Sequence, residues 1–343
     1  MRPRALAIHG TGLVTPVGLT AADSCAAFRA KISNPSETRF ADSSGDWIMG
    51  HQVELSQPWR GLDKLARMAA MAIVEALEGI PRADWPSLPV LLCVAETDRP
   101  GRPPGIDDQL MPAIQDELGL RFSSRCAVVP HGRAGVASAL LLARDLLEPQ
   151  SSSPVLIVAA DSLVSWPTLQ HYASRDRLLL ATNSNGFLPG EGAGALLVGM
   201  PRSGVAEMLC VGIGLNQEAA HIDSGEPLRG DGLVQAMRAA FSESGIEMHE
   251  VDYRISDVSG EQYYFKEASL ALDRSLRVRK SQIELWHPAD SIGECGSVSG
   301  IACLAAAQAA ARKGYAPGAH ALLHFSNDNG LRAAVVSKSG VSR

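Results

Sequence analysis

Short apolar runs alternate with longer segments of helical period along most of this chain, and that alternation constrains its fold more than any other feature. Residues 5–8, 90–94, 127–129, 154–160, 194–198 and 210–213 have the length and composition of strands. Residues 62–77, 107–118, 134–147, 232–244 and 301–311 have the length and spacing of helices. In 62–77, Leu62, Leu65, Ala69, Ile73 and Leu77 share one face; in 232–244, Leu233, Val234, Met237, Ala240 and Phe241 do. Strands alternating with helices predict an α/β protein with a largely parallel sheet. The first strand is expected to stop at Gly10. Residues 321–325 and 333–336 are expected to close the chain as a hairpin around Asn327-Asp328-Asn329-Gly330. The polar stretch 33–59 reads as a surface excursion with a strand near 47–53.

Composition sharpens this picture. The 343 residues are 46% hydrophobic, enough for one large domain or two fused halves. Glycine is plentiful at 32 residues, aromatics make up only 5%, and 301–311 is built almost wholly of small residues, as a helix packed between two sheets must be. The net charge of −6 and the lack of a basic run argue against a nucleic-acid partner. No apolar run approaches the roughly 18 residues that cross a bilayer. Met1-Arg2-Pro3-Arg4 is basic, but the apolar stretch after it is short and runs into Gly10-Thr11-Gly12, so it reads as a first strand and not as a signal peptide. Cys25, Cys93, Cys126, Cys210, Cys295 and Cys303 form no CxxC pair and suit buried free thiols in a reducing cytoplasm.

Four segments resemble one family in order along the chain. His9-Gly10-Thr11-Gly12-Leu13-Val14-Thr15-Pro16-Val17-Gly18 is similar to the opening strand and turn of the β-ketoacyl-acyl-carrier-protein synthases. Gly186-Phe187-Leu188-Pro189-Gly190-Glu191-Gly192-Ala193-Gly194-Ala195 resembles their GF-x-x-GEGAGA turn. Glu226-Pro227, Gly230-Asp231-Gly232 and Ala236-Met237-Arg238-Ala239-Ala240 resemble a third motif, and Ser291-Ile292-Gly293 with Ser299-Gly300-Ile301-Ala302 a fourth. The resemblance implies an α/β, thiolase-like layered αβαβα fold of two similar halves, here 1–204 and 205–343. It implies dimerisation through a sheet edge. The segments before the nucleophile turn and between it and the GEGAGA turn are shorter than usual, which puts the acyl pocket and the dimer surface in question. The Gly-rich turn lacks the Lys-Ser/Thr of a phosphate-binding loop, so it reads as scaffold and no nucleotide cofactor is expected.

A condensing enzyme of this family needs a Cys thiolate at a helix N-terminus and two His residues that promote decarboxylation and stabilise an enolate. Carried onto this chain, the nucleophile position falls on Arg133 within His131-Gly132-Arg133-Ala134-Gly135. The first His position falls on Asp257 within 251–258, and the second on Glu294 within Ser291-Ile292-Gly293-Glu294. The family's gate-forming FGFGG turn is replaced by Ser326-Asn327-Asp328-Asn329-Gly330. The resemblance brings the three positions to one pocket. Arg133 there is expected either to form an ion cluster with Asp257 and Glu294 that plugs a dead site, or to sit in a wet pocket whose residues merely drifted.

Cys295, next to Glu294, is a candidate displaced nucleophile, but it lacks a His base beside it and is expected to have no helix N-terminus directly behind it, so it reads as a structural thiol. His131 reads as a structural turn residue. Asp257, Glu294 and His131 could supply three metal ligands, but the Arg133 cation among them argues against a metal. Three functions stay open, because fold does not settle function. One is a non-enzymatic scaffold, either a partner subunit as chain-length factors are, in a homodimer or heterodimer, or an adaptor for another system such as secretion. Another is an acyltransferase or condensing-type enzyme with a rearranged site. The last is an acyl- or acyl-carrier-protein-binding module.

Overall fold

The computed structural model describes residues 4–147, 153–280 and 282–341. The chain runs β1 (Leu6–Val14), α1 (Ala21–Ala30), β2 (Ser36–Ala41), β3 (Trp47–Gly50), α2 (Gly61–Ala76), β4 (Val90–Cys93), α3 (Ile106–Leu118), β5 (Ala127–Val129), α4 (Gly135–Leu146), β6 (Val155–Ser162), α5 (Trp166–Ala173) and β7 (Glu191–Gly199). It continues through β8 (Ala206–Gln217), α6 (Asp231–Ser244), β9 (Tyr253–Ser256), α7 (Gln262–Ser275), β10 (Glu284–Trp286), α8 (Ala289–Ile292), α9 (Ser299–Arg312), β11 (His320–Ser326) and β12 (Leu331–Val341).

The sheet order is β5-β4-β6-β7-β1-β8-β12-β11-β9-β10, with β2 and β3 as a separate hairpin. Leaving that hairpin aside, the strands on either side of the β1–β8 seam follow one order when counted within each half: 3-2-4-5-1. In each, the fourth, second and third strands are mutually parallel, while the fifth runs antiparallel to the fourth and the first. The duplication is therefore visible in topology. The expectation of a largely parallel sheet needs correction: β7 and β12 each return antiparallel, so the sheet is mixed. The halves meet where β1 pairs β8 through Leu6–Cys210 and Ala7–Leu209.

Three apolar clusters define the layers. One combines α2 and α3 with the outer face of the first half's strands. A second combines α6 with β11 and β12. The third holds α4 and α9 between strands of both halves. Along α9, Ile301, Ala302, Cys303, Leu304, Ala305, Ala306, Ala307 and Ala310 are all buried, which is why that helix is made of small residues.

β1 does not stop at Gly10. It runs on to Val14 with a register shift between Ile8 and Gly10. The glycines mark a close approach. A Cβ on Gly10 would lie 2.1 Å from the Ala76 carbonyl oxygen, and one on Gly12 would lie 2.0 Å from that of Ala72. The second half repeats this: Gly212 and Gly214 on β8 lie against the Ala240 and Ala236 carbonyls of α6, each 2.0 Å from the missing Cβ. Glycine inside a strand here means that a helix backbone rests on it. The unplaced stretch 33–59 contains the β2–β3 hairpin, whose Ile48 packs with Leu163, Leu169, Tyr172 and Phe187.

Candidate functional site

The two central helices begin in the same way. A 3-10 turn, Gly132–Ala134, leads into α4, and another, Gly296–Val298, leads into α9. Each turn opens on a glycine with positive φ, +45° at Gly132 and +54° at Gly296. Each is capped from the other half: Asn327 Oδ1 accepts the Ala134 N–H at 3.1 Å, and Asp161 Oδ2 accepts the Ser297 N–H at 2.9 Å. The donors that a helix start leaves unpaired, and that would face an oxyanion in an acyl-transfer enzyme, are thus partly consumed by side chains.

Arg133 stands in the first of these turns and is 5% exposed. Its Nη1 donates to Glu294 Oε2 at 3.2 Å, and its Nε lies 3.8 Å from Asp257 Oδ2. Its Nη2 donates to Asp328 Oδ1 at 2.6 Å and to the Tyr264 hydroxyl at 2.9 Å. The guanidinium carbon lies 4.6 Å from the centre of the Tyr264 ring. Arg133, Asp257 and Glu294, the three residues singled out by the resemblance, therefore come together as an ion cluster. Asp257 is fixed in turn by the Ser326 N–H at 2.9 Å, and Glu294 by Ser259 and the Gly296 N–H, each at 2.9 Å.

Sequence reasoning missed most of this cluster. Arg177, from the excursion after α5, donates to Glu261 through Nε at 2.7 Å and Nη2 at 2.8 Å, and to Asp328 through Nη1 at 2.7 Å. Asp328, at the tip of the β11–β12 turn, lies between Arg133 and Arg177 and also accepts from Tyr172 and Tyr264. Arg99 Nη1 donates to Asp161 at 2.7 Å, with Glu96 nearby over Gly132. One signal was available for Asp328, since the resemblance places a glycine-rich gate at residues 326–330. The others come from segments with no motif.

The cluster holds three guanidiniums and six carboxylates, all buried except the partly exposed Asp328. Charge excess and burial set their protonation. Burial pushes Glu294 up to about 7, with Arg133 pulling it down and Asp257 pushing it up. Burial likewise raises Asp257, Glu261 and Glu96 against the pull of the nearby arginines. Burial would also raise Asp328, but the guanidiniums of Arg133 and Arg177 more than reverse it and hold that carboxyl well below the usual range. Burial disfavours the Arg133 cation, yet Tyr264, Glu294, Asp328 and Asp257 together bind its proton more tightly than in water.

The other candidates stand apart. His131 is exposed, and its Nδ1 lies 2.9 Å from the Ser138 hydroxyl; the structure gives it no contact with Asp257 or Glu294. Cys295 is fully buried, donates its thiol to the Ile292 carbonyl at 3.0 Å, and is pushed well above the ordinary thiol range by burial and by nearby carboxylates. The expectation that no helix starts behind it is overturned: the turn into α9 follows at once. All six cysteines are free. Glu191 of the GEGAGA turn accepts from the Val53 N–H at 2.9 Å, from Lys64 and from Ser162, an anchoring role. Among the described residues no group of His, Cys, Asp and Glu is arranged to hold a metal, and no helix is long and apolar enough to cross a membrane.

The space left at the cluster is about 20 Å³, lined by Glu96, Arg99, Arg133, Tyr172, Phe187 and Asp328 among others. That is room for about one water and not for an acyl chain.

No family model matches this sequence. One curated relative, bisdemethoxycurcumin synthase of Oryza sativa subsp. japonica, is 30% identical over 169 residues, 48% of this chain and 40% of that protein. The match thus spans less than half of that relative's length. Solved structures match over the whole chain. The ishigamide ketosynthase/chain length factor is 18% identical with both chains fully covered and a TM-score of 0.79. A chain of a type II polyketide synthase acyl-carrier protein in complex with its ketosynthase is 15% identical, with 98% of this chain and 100% of that one covered and a TM-score of 0.80. A β-ketoacyl synthase from Burkholderia phymatum is 14% identical, with both chains fully covered and a TM-score of 0.72. With its duplicated strand order and its paired central helices, this chain has the thiolase-like fold of the ketosynthases and chain length factors.

Proposed function

We propose that this chain is a degenerate ketosynthase: a non-enzymatic, cytoplasmic partner subunit of two halves, 1–204 and 205–343, that works beside an active condensing enzyme and its acyl carrier protein. The observation that carries this reading is Arg133, a cation where a condensing enzyme of this fold would hold its nucleophile, bonded to Glu294, Asp328 and Tyr264 and close to Asp257. The two carboxyls proposed to stand at the His positions are already engaged, Asp257 by the Ser326 N–H and Arg133 and Glu294 by the Gly296 N–H and Arg133. Cys295, the nearest thiol in sequence to the cluster, is fully buried and points at a carbonyl. Support for a partner role comes from structures of the same fold, among them a ketosynthase in complex with its chain length factor and an acyl-carrier protein in complex with its ketosynthase.

The test is incubation of the purified chain with a radiolabelled acyl thioester and with malonyl thioester, followed by intact-mass analysis. No covalent acylation and no decarboxylation are expected, for the native chain or for Arg133→Cys, which gains a thiol but no His base. Acylation of any native cysteine would sink the reading.

A further inference from the structure

The largest difference between this chain's cavities lies in what lines them. The cluster at Arg133 leaves almost no space, whereas a groove of about 620 Å³ opens at the far edge of the second half, between the end of α1, strand β10 and α8. That volume falls within the range of about 300–1,000 Å³ typical of small-molecule sites. Its wall is aromatic. The Trp286 and Tyr315 rings lie 6.3 Å apart at 30°, and Trp286 is backed by Tyr253 at 4.8 Å. Phe28 adds to the lining from α1.

Charge in the groove is sorted. Its acids are already engaged: Glu284 accepts from the Trp286 indole N–H at 2.9 Å, and Asp290 lies 2.9 Å from His287 Nδ1. Its cations are not. Arg29 stacks 4.3 Å from the centre of the Tyr315 ring, and Lys31 follows it at the end of α1. Neither has an ion-pair partner among the described residues. The large trough along α2 differs: the one cation in its lining, Arg67, is paired with Glu117.

We propose that this groove binds a small planar, conjugated organic acid. The ring lies against Trp286 and Tyr315, where offset stacking is favourable, and the acid group meets Arg29 and Lys31. None of the groove's residues belongs to the Arg133 cluster, so the site stands or falls apart from the reading of that cluster.

Titration of the full chain with 2-naphthoate, followed by calorimetry, tests it, with neutral 2-naphthalenemethanol as the matched probe. Saturable one-to-one binding of the acid is expected, at least about tenfold tighter than the alcohol, a difference typical of one charged contact. The double variant Arg29→Ala, Lys31→Ala changes only exposed side chains and is expected to weaken 2-naphthoate by about tenfold or more while leaving the alcohol unchanged. Trp286→Ala is expected to weaken both probes, and Arg67→Ala, in the trough along α2, neither. Failure of the acid to saturate, equal binding of acid and alcohol, or full binding by the double variant would each overturn the proposal.

Discussion

At the scale of single residues, Arg133 is the point on which the site turns. A cation at the start of a helix opposes the local dipole, and a buried guanidinium is costly without partners. It persists here because Glu294, Asp328, Asp257 and Tyr264 surround it. Arg133→Ala is therefore expected to destabilise the fold by about 3–5 kcal/mol, the range for breaking a buried pair, read as a lowered urea midpoint with an unchanged m-value. Glu294 carries the opposite sign. The unfolded chain releases that proton near the ordinary 4.5, while the folded chain keeps it to about 7. Between those values the native state binds more protons, so stability falls as pH rises from about 4.5 to 7, by about 3 kcal/mol at most. Glu294→Gln is expected to flatten that decline in urea titrations run at several pH values, and an unchanged slope would count against it. Asp328 acts in the acid range instead: its depressed carboxyl loses stability only as pH drops below the ordinary 3.8.

At the scale of elements, the two halves are built on one device: a strand with two glycines pressed against the alanines of a helix. Gly10 and Gly12 meet α2, and Gly212 and Gly214 meet α6. Gly212→Ala would place a methyl 2.0 Å from the Ala240 carbonyl oxygen. Helix α6 would have to shift, and a loss of about 1–3 kcal/mol is expected. Gly79→Ala, where a Cβ meets nothing within 4 Å, is the matched control and should be near neutral in the same thermal melts. The helices were legible where a long apolar stripe repeats, as in α2 and α6. The 14-residue α7 was not, because its mean hydropathy is low and its inner face carries Tyr264 and Glu267 as well as alanines. Short β9 and β10 were hidden for a similar reason, being four and three residues long with Arg254 and Glu284 among them.

At the scale of the whole molecule, the ten-stranded sheet has two free ends, β5 and β10. β10 carries Glu284 and borders the aromatic groove, whereas β5 is the uncharged run Ala127-Val128-Val129. An uncharged free edge invites pairing, so the expected assembly is a dimer, with itself or with a similar chain, joined at β5. Light scattering on the purified chain should show twice the chain mass. Ala127→Glu, at an exposed position of that edge, should return it to a monomer. A native chain that stays monomeric at high concentration would argue against assembly through this edge.

The sequence by itself determined the layered α/β fold, because strand and helix periodicities and glycine-rich turns are local and survive in order along the chain. It also singled out Arg133, Asp257 and Glu294 as three residues to examine together, since each sits inside a segment that resembles a family motif. Tertiary structure alone decided that Arg177, Glu261 and Tyr264 join the cluster and that Asp328 lies between its arginines. Arg133 meets Tyr264 across 131 residues and Asp328 across 195. No local pattern encodes a meeting at that separation; it exists because the duplicated halves fold face to face and bring the starts of α4 and α9 and the β11–β12 turn into one buried space.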